Sequence, residues 1–205
     1  MRSESEVPAR RLSPLDSVLR RSGAAMVMHQ GAICAEHFGS AASEAAACLT
    51  SVGIADRSRR ATLEVRGTHL PVEAAVESLR GDAITCWWSE VGRGRTIVRS
   101  EPEDGAAVAA CLEPFTDVTV SDVGHLYAAI GLIGPLARDV LKACGPGAPG
   151  VEVFVVDDAP DRYELLTPAA SGPAVWDRLL RAGAPMHITC VGFEALEHLA
   201  AAHAA

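Results

Sequence analysis

The sequence predicts an α+β fold, with mixed and antiparallel sheets covered by helices. Short strand and helix patterns alternate with hairpins between them, which argues against the long crossovers of a doubly wound sheet. Two pairs of strand-like runs flank glycine turns: residues 26–28 with 32–34 around Gln30-Gly31, and 83–88 with 95–99 around 90–94. Apolar stripes at helical spacing recur, the clearest being Val175, Trp176, Leu179 and Leu180.

At 205 residues the chain is long enough to bury a sizeable core, and it reads as one compact unit. A net charge of −8 excludes the surplus of clustered Lys and Arg that a nucleic-acid groove or an anionic membrane surface requires; Lys142 is the only lysine. Cys34, Cys48, Cys86, Cys111, Cys144 and Cys190 stand singly, without any Cys-x-x-Cys pair. They read as buried free thiols, not as a disulfide framework or a zinc site. Residues 1–21 lack the apolar centre of a signal peptide, and no apolar run reaches the roughly 20 residues of a membrane span. The expected compartment is the cytoplasm.

Residues 1–12 offer almost nothing to bury and are expected to form a flexible tail. Ser13-Pro14 then caps a short helix carrying Leu15, Val18 and Leu19. After the first hairpin, the alanines between Ser40 and Ser51 form a helix. Gly53 closes it as a C-cap glycine, Asp56 and Ser58 turn the chain, and residues 62–65 carry strand character. A helix from about Pro71 to Leu79, with Val72, Ala75, Val76 and Leu79 as its stripe, leads into the 83–99 hairpin. Pro102 opens a helix to about Leu112, where Glu103 and Asp104 complement the helix dipole.

Residues 116–120 and 126–133 are the clearest strands, and the second is apolar on both faces and therefore central. Gly134-Pro135 opens a helix, the Gly- and Pro-rich segment 145–150 ends it, and strands at 151–156 and 163–166 follow. Thr167-Pro168 opens the helix of Val175 and Trp176, Gly183 closes it, and a strand over 186–190 and a helix over 191–204 complete the order. The strand-helix rhythm recurs on either side of residue 124, which allows two lobes, 13–123 and 124–205.

No phosphate-cradling glycine loop, nucleophile elbow or His-Glu-x-x-His occurs, and the seven histidines lack metal-ligand spacing. Trp87-Trp88 stands out in a chain with 4% aromatic residues. Neighbours on a strand face opposite sides, so one ring enters the core and the other faces a cleft, a partner or solvent. In a cleft the exposed ring, taken as Trp88, would stack on a flat heterocycle.

Gly53-Ile54-Ala55-Asp56-Arg57-Ser58, followed by Thr62-Leu63-Glu64-Val65-Arg66-Gly67, resembles the early segment of the folate-dependent aminomethyltransferases. That family includes the glycine-cleavage T-protein and the folate domains of sarcosine- and dimethylglycine-oxidising enzymes. Similar pieces follow in the same order: Ser13-Pro14-Leu15, residues 131–138, residues 163–168, the helix around Trp176 and residues 192–197. The resemblance implies a folate-binding domain over 13–205, tetrahydrofolate as cofactor, and one-carbon transfer in which the protein positions the pterin and the cofactor carries the carbon.

The functional positions depart from that pattern. The hairpin at 83–99 lacks the family's aspartate and offers Glu90, and the segment of its pterin-gripping glutamate falls on residues 157–161 and offers Asp161. The histidine and methionine that often follow the Asp-x-Ser pattern are here Arg59 and Arg60, the arginine of the final helix falls near Ala200, and the chain stops where larger relatives continue into a barrel domain. The candidate cofactor-binding residues are therefore Trp88, Glu90, Arg60, Asp161 and Glu194, with Arg60 meeting a folate glutamyl tail; the three carboxylates read equally as solvated surface groups, and no residue is assigned a catalytic role. Two functions stand side by side. One is a tetrahydrofolate-binding, aminomethyltransferase-like protein of one-carbon metabolism with a folate-type small molecule as ligand. The other is a non-catalytic subunit or scaffold of a sarcosine-oxidase-like enzyme, with a protein partner or as a homodimer.

Overall fold

The computed structural model describes residues 12–67, 84–115, 117–145, 152–154 and 161–204, together with Val72, Ala75 and Leu79. The expected tail up to residue 11, most of the helix expected over 71–79, Thr116 and residues 146–151 and 155–160 lie outside the described residues.

The first elements follow their local chemistry. Ser13 Oγ accepts the Leu15 N–H at 3.0 Å ahead of α1 (Asp16–Arg21), which buries Val18 and Leu19 completely. β1 (Ala25–His29) and β2 (Ala32–His37) pair antiparallel through Gln30 and Gly31, both at positive φ, as a tight two-residue turn requires. Ser40 then caps α2 (Ala41–Thr50), its side chain accepting from the Ser43 N–H.

The next stretch differs from the sequence expectation. The helix ends at Ser51, and Gly53 instead begins a strand, β3 (Gly53–Asp56). A Cβ on Gly53 would collide with Cys48 Sγ and lie 2.6 Å from Val191 Cγ2, so the glycine serves close packing and not a helix cap. Four residues, the first three buried, show no alternation from which a strand could be read.

β4 (Ala61–Gly67), β5 (Cys86–Gly92), β6 (Arg95–Ser100) and β7 (Val118–Asp122) form an antiparallel sheet in the order β5-β6-β4-β7. Val72, Ala75 and Leu79, each helical, pack on it with Val108 and Leu112 of α3 (Gly105–Leu112). Asp104 precedes α3 without capping it, although its charge suits that end.

β8 (Tyr127–Ile133), β9 (Glu152–Phe154), β10 (Arg162–Pro168) and β11 (Thr189–Val191) join β3 in a second sheet, ordered β11-β3-β8-β10-β9, in which only the β11–β3 pair is parallel. β8 is its central strand, as an element apolar on both faces should be. One face of this sheet packs through Ile54, Ile130, Leu132 and Leu165 onto α1, α4 (Ala137–Cys144) and α5 (Gly172–Gly183), with Trp176 fully buried in the middle. α6 (Phe193–Ala204) lies against α2 on the opposite side. Thr167 and Pro168 belong to the end of β10, not to a helix start; proline, lacking an N–H, is tolerated at a strand end. The antiparallel sheet draws only on residues 61–122, whereas β3, from before residue 124, stands between β11 and β8 from after it. No helix among the described residues is long and apolar enough to cross a membrane.

Candidate functional site

The second face of the mixed sheet is hollow. Register places Glu164 beside Gly131, Gly131 beside Ala55, and Ala55 beside Val191, so a carboxylate is followed by two small residues across the strands. A Cβ on Gly131 would stand 2.9 Å from Arg57 Cγ; the glycine makes room for that arginine's stem. Over this floor lies a cavity of about 520 Å³. Its walls come from the β1–β2 hairpin with His29 and Cys34, the turn after β3, Trp87, the Glu101-Pro102-Glu103 segment and α6 with Phe193.

The antiparallel sheet presents a matching row. Trp87 pairs with Arg99 and Arg99 with Thr62, and Arg99 reaches across to Glu164, with Nε 2.8 Å from Oε2. Arg57 and Arg60, in the turn between β3 and β4, complete the cluster. Arg60 Nη1 lies 2.7 Å and Arg57 Nε 3.3 Å from Glu164 Oε1, while Arg57 Nη2 at 3.1 Å and Arg60 Nε at 3.0 Å converge on Glu101 Oε1. The two carboxylates differ in setting: the side chain of Glu164 is 6% exposed and that of Glu101 37%. Arg99 is further held by Thr62 Oγ1 at 2.8 Å and the Arg57 carbonyl at 2.9 Å.

This packing sets the proton affinities. Burial pushes the Glu164 carboxyl up, but Arg99, Arg60 and Arg57 together hold it below the ordinary carboxylate range. Burial lowers both Arg57 and Arg99, offset in part by Glu164. Asp56, also on the cavity wall, is raised by burial, against the bonds it accepts from Ser13 and Ser58; the Ser58 N–H lies 2.9 Å from its Oδ1.

Of the residues singled out from sequence, Arg60 lines the cavity, with its guanidinium carbon 3.9 Å from the centre of the Trp87 ring. The ring facing the site is thus Trp87. Trp88 points to the other side of β5 and is 44% exposed there. Glu90 is exposed near the β5–β6 turn, Asp161 is exposed just before β10, and Glu194 is half-buried at the start of α6; none of the three lines the cavity. Arg59 and Arg162 do, and Arg59 donates to Gln30 Oε1 at 2.9 Å. Sequence reasoning missed Arg57, Trp87, Arg99, Glu101 and Glu164. The available signal was charge within strands otherwise built to be buried, as in Thr96-Ile97-Val98-Arg99 and Glu164-Leu165-Leu166.

One buried carboxylate assembles the walls. Glu44 of α2 accepts the Phe38 N–H at 2.7 Å and the Gly192 N–H at 2.9 Å, tying the end of β2 to the start of α6. Any Cβ on Gly192 would collide with the Glu36 carbonyl, so the close approach that brings Phe193 to the cavity needs glycine.

No known family matches the sequence, and no curated protein does. Solved structures do match in shape. The glycine cleavage system aminomethyltransferase T from Bartonella henselae superposes with a TM-score of 0.72 over 91% of this chain at 17% identity. The fold is aminomethyltransferase-like. This chain spans 61% of that protein. A chain of the heterotetrameric sarcosine oxidase from Corynebacterium sp. U-96, solved with pyrrole 2-carboxylate, matches with a TM-score of 0.55 over 86% of this chain and 96% of its own length, at 16% identity. Among the described residues no group of three or more His, Cys, Asp or Glu is arranged to hold a metal ion.

Proposed function

We propose that this chain is a tetrahydrofolate-binding, aminomethyltransferase-like protein of one-carbon metabolism, with the ligand held in the cavity over β8. The observation that carries the reading is the pairing, in one cavity, of the Trp87 ring with arginines already fixed in place. Such a pocket suits a flat heterocycle with polar edges and an acidic tail, and its volume falls within the roughly 300–1,000 Å³ usual for small-molecule sites. The likeness to the aminomethyltransferase T fold supports this choice of ligand. The six cysteines are all free thiols, which suits a reducing compartment such as the cytoplasm.

The site is better built to bind than to transfer protons. A general base needs a free lone pair and a pKa near the working pH. Glu164 is held low, and both of its oxygens face arginines. The lining carboxylate with a raised pKa is Asp56, whose Oδ1 is occupied by the Ser58 N–H. A second reading, a non-catalytic subunit of a multisubunit enzyme, is favoured by the match over 96% of one chain from a heterotetrameric sarcosine oxidase.

Calorimetric titration with tetrahydrofolate and 5-formyl-tetrahydrofolate tests the first reading. Heat of binding is expected, lost in Trp87→Ala and kept in Trp88→Ala; no heat from the intact protein at high ligand concentration sinks it. Co-purification with a flavoprotein from the native source supports the subunit reading, and recovery as a lone chain active in aminomethyl transfer removes it.

A further inference from the structure

Three arginines, Arg57, Arg60 and Arg99, share two carboxylates, Glu164 and Glu101, which leaves one positive charge in surplus. Those carboxylates have different roles. Glu164 is carried by β10 and buried among all three guanidiniums. Glu101 sits just past the end of β6, on the cavity wall and partly in water, and both Arg57 and Arg60 converge on its Oε1. We infer that Glu101 is a displaceable internal occupant of an anion site, and that the ligand carries a carboxylate which takes its place on Arg57 and Arg60. This rests on the ligand-binding reading above and specifies which group of the ligand meets the arginines.

The exchange is physically balanced. Released from the arginines, Glu101 turns into solvent and regains hydration, as a partly exposed carboxylate can at small cost. Arg57 and Arg60 remain anchored by Glu164, so their forks keep the orientation that a planar carboxylate needs for charge-assisted bonds. Glu101 offers both arginines a single oxygen, Oε1, whereas a ligand carboxylate can present one oxygen to each guanidinium and so gains over the internal one. The ring of Trp87, 3.9 Å from the Arg60 guanidinium, places an aromatic body next to that carboxylate. Arg59 and Arg162 add positive charge to the lining, Glu103 and Glu197 oppose it, and Asp56 is biased toward its neutral form by burial. The ligand class is an aromatic compound bearing a carboxylate.

The test uses calorimetry on the full chain with four probes: 4-aminobenzoyl-glutamate, its uncharged diamide, 6-methyl-tetrahydropterin, which has no carboxylate, and 5-formyl-tetrahydrofolate. In the unaltered protein the acid should bind and the diamide should bind much more weakly, a comparison that needs no variant. In Glu101→Gln the acid should bind about tenfold tighter, because the competing anion is gone, while the tetrahydropterin is unaffected. Equal binding of acid and diamide, or an acid affinity indifferent to Glu101, overturns the inference even where the tetrahydropterin binds and the folate reading stands. Conversely, an acid that behaves as expected beside a tetrahydropterin and a 5-formyl-tetrahydrofolate that give no heat keeps the inference and removes the folate reading. No heat from any probe overturns both.

Discussion

Replacing Glu164 by glutamine keeps the side chain's volume and removes the charge that Arg57, Arg60 and Arg99 share. The variant loses ion pairs of 3.3, 2.7 and 2.8 Å at side chains that are 19%, 11% and 3% exposed. Arg99 suffers most. It retains only neutral acceptors among its named bonds, Thr62 Oγ1 and the Arg57 carbonyl, whereas Arg57 and Arg60 still have Glu101. Breaking a buried pair by removing one partner costs about 3–5 kcal/mol, and that is the expected loss for Glu164→Gln. It is large against the roughly 5–15 kcal/mol that holds a domain together. Urea unfolding followed by tryptophan emission at neutral pH measures it, with the midpoint falling and the slope unchanged. Acid supplies the second arm. The native carboxyl lies below its unfolded value, so its contribution is complete above the unfolded pKa of about 4.3 and disappears as pH falls through the lowered native value. The gap between wild type and variant should therefore close on acidification. A neutral-pH loss under about 1 kcal/mol, the range of exposed ion pairs, or a gap that widens in acid refutes the assignment of Glu164 as the buried anchor of this cluster.

Gly131→Ala places a methyl group 2.9 Å from Arg57 Cγ, so Arg57 must lift off the sheet; we expect a loss of about 1–3 kcal/mol in urea unfolding together with weaker binding of carboxylate ligands, and unchanged behaviour in both would show that the hollow does not position Arg57. Burial pushes the thiols of Cys48 and Cys190 up to about 11, so neither should be alkylated by iodoacetamide in the native protein near neutral pH, while all six cysteines should react in urea; rapid native labelling of Cys48, as read by peptide mass, contradicts its burial.

Legibility in the sequence followed the range of the interaction responsible. β8 could be placed at the centre of a sheet because burial on both faces writes itself into a continuous apolar run, and the β5–β6 hairpin because its glycines mark the reversal, with Gly94 at positive φ. β3 could not be read: its reason for being a strand is not its own four residues but the neighbours β8 and β11 on either side. The same limit governs the site. Alternation along β5 shows that one of Trp87 and Trp88 faces inward, yet only the register, which sets Trp87 opposite Arg99 and Trp88 opposite Val98, says which. Arg60 was legible as a departure from a familiar pattern, whereas its partners lie 41 and 104 positions away, on Glu101 and Glu164. Local rules carry no information about such pairs. What they do show is the anomaly of an arginine or glutamate at a strand position that the surrounding apolar residues mark as buried. Arg99 and Glu164 are both of this kind, and because a buried charge is tolerated only when paired, each predicts the existence of the other.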